Sequence, residues 1–170
     1  MTKRSDADPP IEVSSPACSM SEADDVYMGY AGKAELLALL KELLEAERAG
    51  ARVALESAKA APEGPIRALL DAVRHDEGRW CAMLLGHIKA RGETPSAKMG
   101  AFYEKAMAIA VLGERLKFLN RGQGWVVRKL REILPRVRED GLHADLAEML
   151  RLHETNIART NEVAELHPGA

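Results

Sequence analysis

Between Ile66 and Ile88 apolar side chains recur at helical spacing, and a glutamate stands in the middle of the stripe. Ile66, Leu69, Leu70, Val73, Trp80, Leu84 and Ile88 share one face of a helix, and Glu77 falls among them in residues 68–81 (ALLDAVRHDEGRWC). An ionised carboxylate buried without a partner costs several kcal/mol, so the fold must bring a cation, a hydrogen-bond network or a proton to Glu77. The rest of the chain can be read for that partner.

The residue types surrounding the stripe point to an all-α fold. Of 170 residues, 46% are hydrophobic, 29% charged and only 4% aromatic, an Ala/Leu/Glu/Arg-rich composition with almost no strand pattern. A formal charge of −2 and a pI near 6.2 argue against a dedicated nucleic-acid binder and a strongly cationic membrane protein. Cys18 and Cys81 do not make a disulfide framework, and there is no signal peptide or long apolar span. A reducing cytoplasm is the expected home.

Residues 1–32 are rich in Ser, Asp, Pro and Ala and lack an apolar period, so a disordered or loosely docked leader is expected, a tail with no role rather than the alternative of a short tether at residues 26–30 (VYMGY). Periodicity begins at Lys33. Leu36, Leu40, Leu43, Glu47, Gly50 and Ala54 line a first helix, and Glu47 interrupts its stripe as Glu77 interrupts the next. Residues 61–65 (APEGP) make a compact turn, with Gly64 suited to a left-handed conformation and Pro65 to the first helical position. The two helices therefore form an antiparallel hairpin. Glu47 and Glu77 lie about a dozen residues either side of its turn, roughly 20 Å along each helix at 1.5 Å per residue, which puts them at one height.

The second helix fades near Gly92, and about 93–109 reads as a crossover carrying one short helix. A third long helix is expected from near Ala110 to Val137, with Leu116, Asn120, Gln123, Val127, Leu130 and Leu134 on one face; Gly122 and Gly124 mark close packing or a kink. A fourth runs from about Leu142, with Leu146, Leu150, His153 or Glu154, Ile157 and Asn161 facing in, and ends in a tail at 167–170. Sliding the chain by 77 positions lays Gly64 on Gly141, Leu69 on Leu146 and Glu77 on Glu154. Two similar hairpins joined by a long crossover are the layout of a ferritin-like four-helix bundle, here over residues 33–166.

Residues 43–52 (LLEAERAGAR), 74–80 (RHDEGRW), 118–137 (FLNRGQGWVVRKLREILPRV) and 152–157 (LHETNI) resemble a bacterial branch of the ferritin-like (rubrerythrin/ferritin) superfamily. The resemblance implies an antiparallel four-helix bundle with a long crossover between helices 2 and 3. Active members bind two irons through one Glu from each of two helices and a Glu-x-x-His from each of the other two. On that pattern Glu47 matches the first-helix ligand, Glu77 the second-helix bridging glutamate and Glu154 its fourth-helix counterpart. Trp80 and Ile157 stand where the histidines belong, and Gln123 occupies the third-helix glutamate region. The di-iron motif is degenerate.

A metal-free core needs other neutralising groups. Arg48, Arg74, Arg121 or Arg151 could reach in, the carboxylates could share protons, and Asn120 and Gln123 could supply hydrogen bonds. His153 reads as a histidine bonded to a carboxylate and His75 as an exposed one. The expected function is a non-catalytic binding or structural module, with a homodimer possible. The alternative is a ferritin-like oxidoreductase holding iron or manganese on Glu47, Glu77, Glu154 and His153. Lys117, Arg121, Arg128, Lys129, Arg131 and Arg138 read as a solvated basic side, and Phe102, Tyr103, Met107 and Trp125 as a crossover packed on its own helices.

Overall fold

The computed structural model describes residues 22–166, so the expectations for residues 1–21 and 167–170 lie outside it. The described residues are helical with no strand: α1 (Glu22–Tyr27), α2 (Lys33–Ala60), α3 (Pro65–Ala90), α4 (Phe102–Met107), α5 (Leu112–Ile133), a 3-10 turn (Leu134–Arg136) and α6 (Asp140–Leu166). The first hairpin starts and stops at the expected residues because its punctuation is strong. Gly64 precedes α3 at φ 146°, a conformation that favours glycine, and Pro65 opens the helix without forfeiting a needed N–H.

The third helix is shorter than expected. Pro135 cannot continue an α-helix, so α5 tightens at Ile133 into the 3-10 turn, and a new helix begins at Asp140. At its other end the buried Arg115 donates from Nε and Nη2 to the Ile109 carbonyl at 3.0 and 2.7 Å, holding the entry to α5. Part of the expected leader is ordered. The Ala31 N–H bonds to the Arg136 carbonyl at 2.9 Å, Arg138 pairs with Asp25, and the Arg138 guanidinium lies 5.8 Å from the Tyr30 ring centre. Val26, Tyr27 and Met28, the alternative tether, stay exposed.

α2 packs on α3 and α5, and α6 packs on α3 and α5, so each long helix has two long neighbours. Their apolar faces meet in two separate clusters. One joins the start of α2 (Leu36–Leu44) to the end of α3 (Trp80, Leu84, Ile88), the end of α5 and the start of α6. The other joins the end of α2 (Val53, Ala54, Ala58) to the start of α3 and the start of α5. α5 thus begins at the end opposite that where α3 stops, and residues 91–111, with α4, run between those ends. Phe102 of α4 stacks on Phe118 at 4.9 Å, and a Cβ at Gly122 would sit 2.6 Å from the Phe102 ring. Gly122 is therefore a close-packing position for α4.

Candidate functional site

The two apolar clusters are separated by a polar layer. Glu47 follows Leu44 on α2, Glu77 lies between Val73 and Trp80 on α3, Gln123 lies between Leu119 and Val126 on α5, and His153 follows Met149 on α6. All four are buried, at 2, 4, 3 and 2% exposure. Four helices thus each contribute one polar side chain at mid-depth.

Glu154 is not among them. It lies on the outer face of α6 and pairs with Arg131 at 2.6 Å, its side chain 42% exposed. The expectation that it converges with Glu47 and Glu77 is corrected: adjacent helical residues point about 100° apart, and His153 holds the inward place. The slide of 77 is corrected with it. Buried positions of the two hairpins match at a separation of 76, which pairs Leu70 with Leu146, Val73 with Met149, Glu47 with Gln123, Glu77 with His153 and Trp80 with Asn156. Ile157, expected inside, is half-buried and Asn156 takes its place.

The ring orientation of His153 follows from its neighbours. Nδ1 donates to the Met149 carbonyl at 2.9 Å, which turns Nε2 toward Glu47 Oε1 at 3.2 Å. Burial by itself would lower the His153 pKa, but the Glu47 charge and hydrogen bond, the Met149 carbonyl and Asp76 raise it above the usual imidazole value. His153 Nε2 and Glu47 Oε1 thus form a buried pair in which the imidazole holds its proton more firmly than a free one does. Glu77 is held well above the ordinary carboxylate range, first by burial, then by the Glu47 charge and more weakly by Asp76; the bond from Gln123 Nε2 to Glu77 Oε1, at 3.5 Å, opposes this. The upward shift favours the neutral form of Glu77, which eases the cost of burying a second carboxyl.

The arginines considered as partners do other work. Arg48 donates to the Ser96 carbonyl and ties down the segment between α3 and α4, Arg74 is 3.6 Å from Asp71, Arg121 lies over Phe118 and Arg151 is exposed. Asn120 bonds Asn161 at 2.8 Å and the Ile157 carbonyl, linking α5 to α6 away from the carboxyls. His75 is exposed, and Cys81 is no nucleophile because burial, followed by the Glu47 and Glu77 charges, pushes its thiol up to about 12. On the basic side, Lys117, Lys129, Arg131 and Arg138 pair with Glu114, Glu42, Glu154 and Asp25, as a solvated face does.

A cavity of about 440 Å³ opens on the polar layer, with Glu47, Glu77, Gln123 and His153 at its floor and Phe102, Phe118 and Trp125 among its walls. Gly50 also borders it. A Cβ there would lie 2.7 Å from Glu77 Cδ, so the glycine makes room for the carboxyl. Glu47 Oε2, Glu77 Oε2 and Gln123 Oε1 are buried without a hydrogen-bond partner. Gly50, Asn156 and Asp76, whose Oδ2 accepts from Asn156 Nδ2 at 3.0 Å, were not singled out as site residues from the sequence. The apolar-to-polar switch at Trp80/Asn156 is the signal that could have found Asn156.

The donor set does not fit an iron pair. Trp80 and Asn156 fill the positions three residues beyond Glu77 and His153, and no group of three His, Cys, Asp or Glu among the described residues is arranged to hold a metal ion. Residues 34–162 match the family model described as Domain of unknown function (DUF6306). The chain belongs to this family. No curated protein and no solved structure matches the chain. Among the described residues, no helix is long and apolar enough to cross a membrane.

Proposed function

We propose that this member of the family is a ferritin-like four-helix bundle, with its crossover between α3 and α5, whose central site serves as a non-catalytic binding pocket for a small molecule. The supporting observation is the juxtaposition of an apolar-walled cavity with three buried, unpartnered oxygens at its floor. Its volume lies within the roughly 300–1,000 Å³ usual for small-molecule sites. Where the superfamily pattern would place metal-binding histidines, the bundle carries Trp80 and Asn156, and the imidazole that remains is engaged with Glu47. Protons and one ion pair then balance the charges.

A second reading is favoured by the orientation of His153. Its Nδ1–H on a backbone carbonyl is how metal-ligating histidines are commonly held, with Nε2 left as the ligand nitrogen. Glu47, Glu77 and His153, which are not arranged around an ion here, would then have to draw together on a single divalent ion, iron or manganese, with Glu154 taking no part. Elemental analysis of protein purified from iron- and manganese-supplemented medium decides between these readings. The pocket reading expects well under one metal per chain; one ion lost in Glu77→Gln establishes the alternative, and two irons per chain overturn both.

A further inference from the structure

The cavity floor has an imbalance of hydrogen-bonding groups. Buried polar atoms rarely lack a partner, yet Glu47 Oε2, Glu77 Oε2 and Gln123 Oε1 all do, on side chains no more than 4% exposed. Gln123 Oε1 is an acceptor in every protonation state, and both carboxylate oxygens are acceptors once ionised. The one nearby imidazole is already engaged on both nitrogens, by Glu47 and the Met149 carbonyl. With Glu77 ionised, all three unpartnered atoms of the floor are acceptors.

The space above that floor is far too large for an ion alone. A single water accounts for about 30 Å³, against a cavity of about 440 Å³ walled by Phe102, Phe118, Leu119, Trp125 and Val126. Aromatic faces attract cations as well as apolar bodies, and Glu42 and Glu45 add acidic groups to the lining. Taking the pocket reading as its basis, we infer that the ligand is a primary amine in its ammonium form attached to an apolar, ring-sized body. The three N–H donors of the ammonium meet the three unpartnered oxygens, and the body lies between the aromatic side chains. Glu47, Glu77, His153 and Asp76 are the titratable groups that face the ammonium.

The test is calorimetric titration of the full chain with phenethylamine and with phenethyl alcohol, a neutral molecule of nearly the same shape. The amine is expected to bind about ten- to a hundredfold more tightly, the range for hydrogen bonds to charged groups. Glu77→Gln and Glu47→Gln, run in parallel, are each expected to cancel that preference while leaving alcohol binding within a few-fold, which also reports that the variant is folded. Equal affinity for the two probes in the unmodified protein overturns the amine inference and leaves the pocket reading intact. Failure of both probes to bind overturns the pocket reading as well. A preference that survives in whichever variants retain alcohol binding places the amine elsewhere and overturns the inference.

Discussion

The two helical hairpins occupy equivalent places in the fold but carry opposite chemistry at mid-depth. The α2–α3 hairpin presents Glu47, Glu77 and Trp80; the α5–α6 hairpin presents Gln123, His153 and Asn156 at the positions 76 residues later. One hairpin brings two acids and the other brings an amide and a base. Two acidic hairpins would leave four carboxyls to neutralise, which in di-iron proteins is the task of the metals. Here the base of one half lies 3.2 Å from an acid of the other, and burial pushes the pKa of the second acid up. The contrast sets the unpartnered oxygens of Glu47, Glu77 and Gln123 beside a single imidazole at mid-depth.

Removing the base should have the largest effect. His153→Leu leaves Glu47 buried and unpaired, at a cost of about 3–5 kcal/mol in urea unfolding at neutral pH, whereas the double variant Glu47→Leu/His153→Leu should lose far less. Equal losses in single and double variants would mean the pair is not coupled.

Next in size is the pH dependence. Glu77 and His153 both have folded pKa values raised above their reference values of 4.5 and 6.5, so the native state holds more protons than the unfolded chain. The stability each contributes is complete below its unfolded pKa and is lost as pH rises through the folded value. Unfolding free energy should therefore fall from about pH 5 upward, by up to about 1.4 kcal/mol per pH unit for each group while it titrates, and Glu77→Gln should flatten the fall. An unchanged slope in that variant would remove Glu77 as its source.

A smaller effect tests the space around the acid. Gly50→Ala in a Glu77→Ala background should stabilise the protein by about 1 kcal/mol through helix propensity, and that gain should vanish when Glu77 is present because the new methyl meets its carboxyl. The smallest is outside. Glu154→Ala breaks only an exposed pair with Arg131 and should shift stability by less than about 1 kcal/mol, in contrast to its neighbour His153. A loss as large as that of His153→Leu would reverse the assignment of inside and outside on α6.

Much of the architecture was legible in local residues. The hairpin of α2 and α3 was readable to its end residues because Gly64 and Pro65 act through their own backbone preferences; Glu47 and Glu77 stood out because each breaks an apolar stripe, and Gln123 through the resemblance. α6 was harder. Its inner face carries His153, Asn156 and Thr160, so polarity no longer separates inside from outside, and Glu154 and Ile157 fitted the stripe as well as their neighbours did. Asn120 was read as part of the carboxyl network from its type alone, whereas its partners are Ile157 and Asn161.

Sequence alone determined the helical class, the turns and the presence of acids at mid-depth, since these depend on neighbours in the chain. Only the tertiary structure decided the rotation of α6. That rotation turned His153 rather than Glu154 toward Glu47, and set the cavity beside Gly50 and beneath Phe102. Rotation about a helix axis is chosen by packing against other helices, and one residue's difference turns a side chain by about 100°, enough to exchange a buried base for a surface acid.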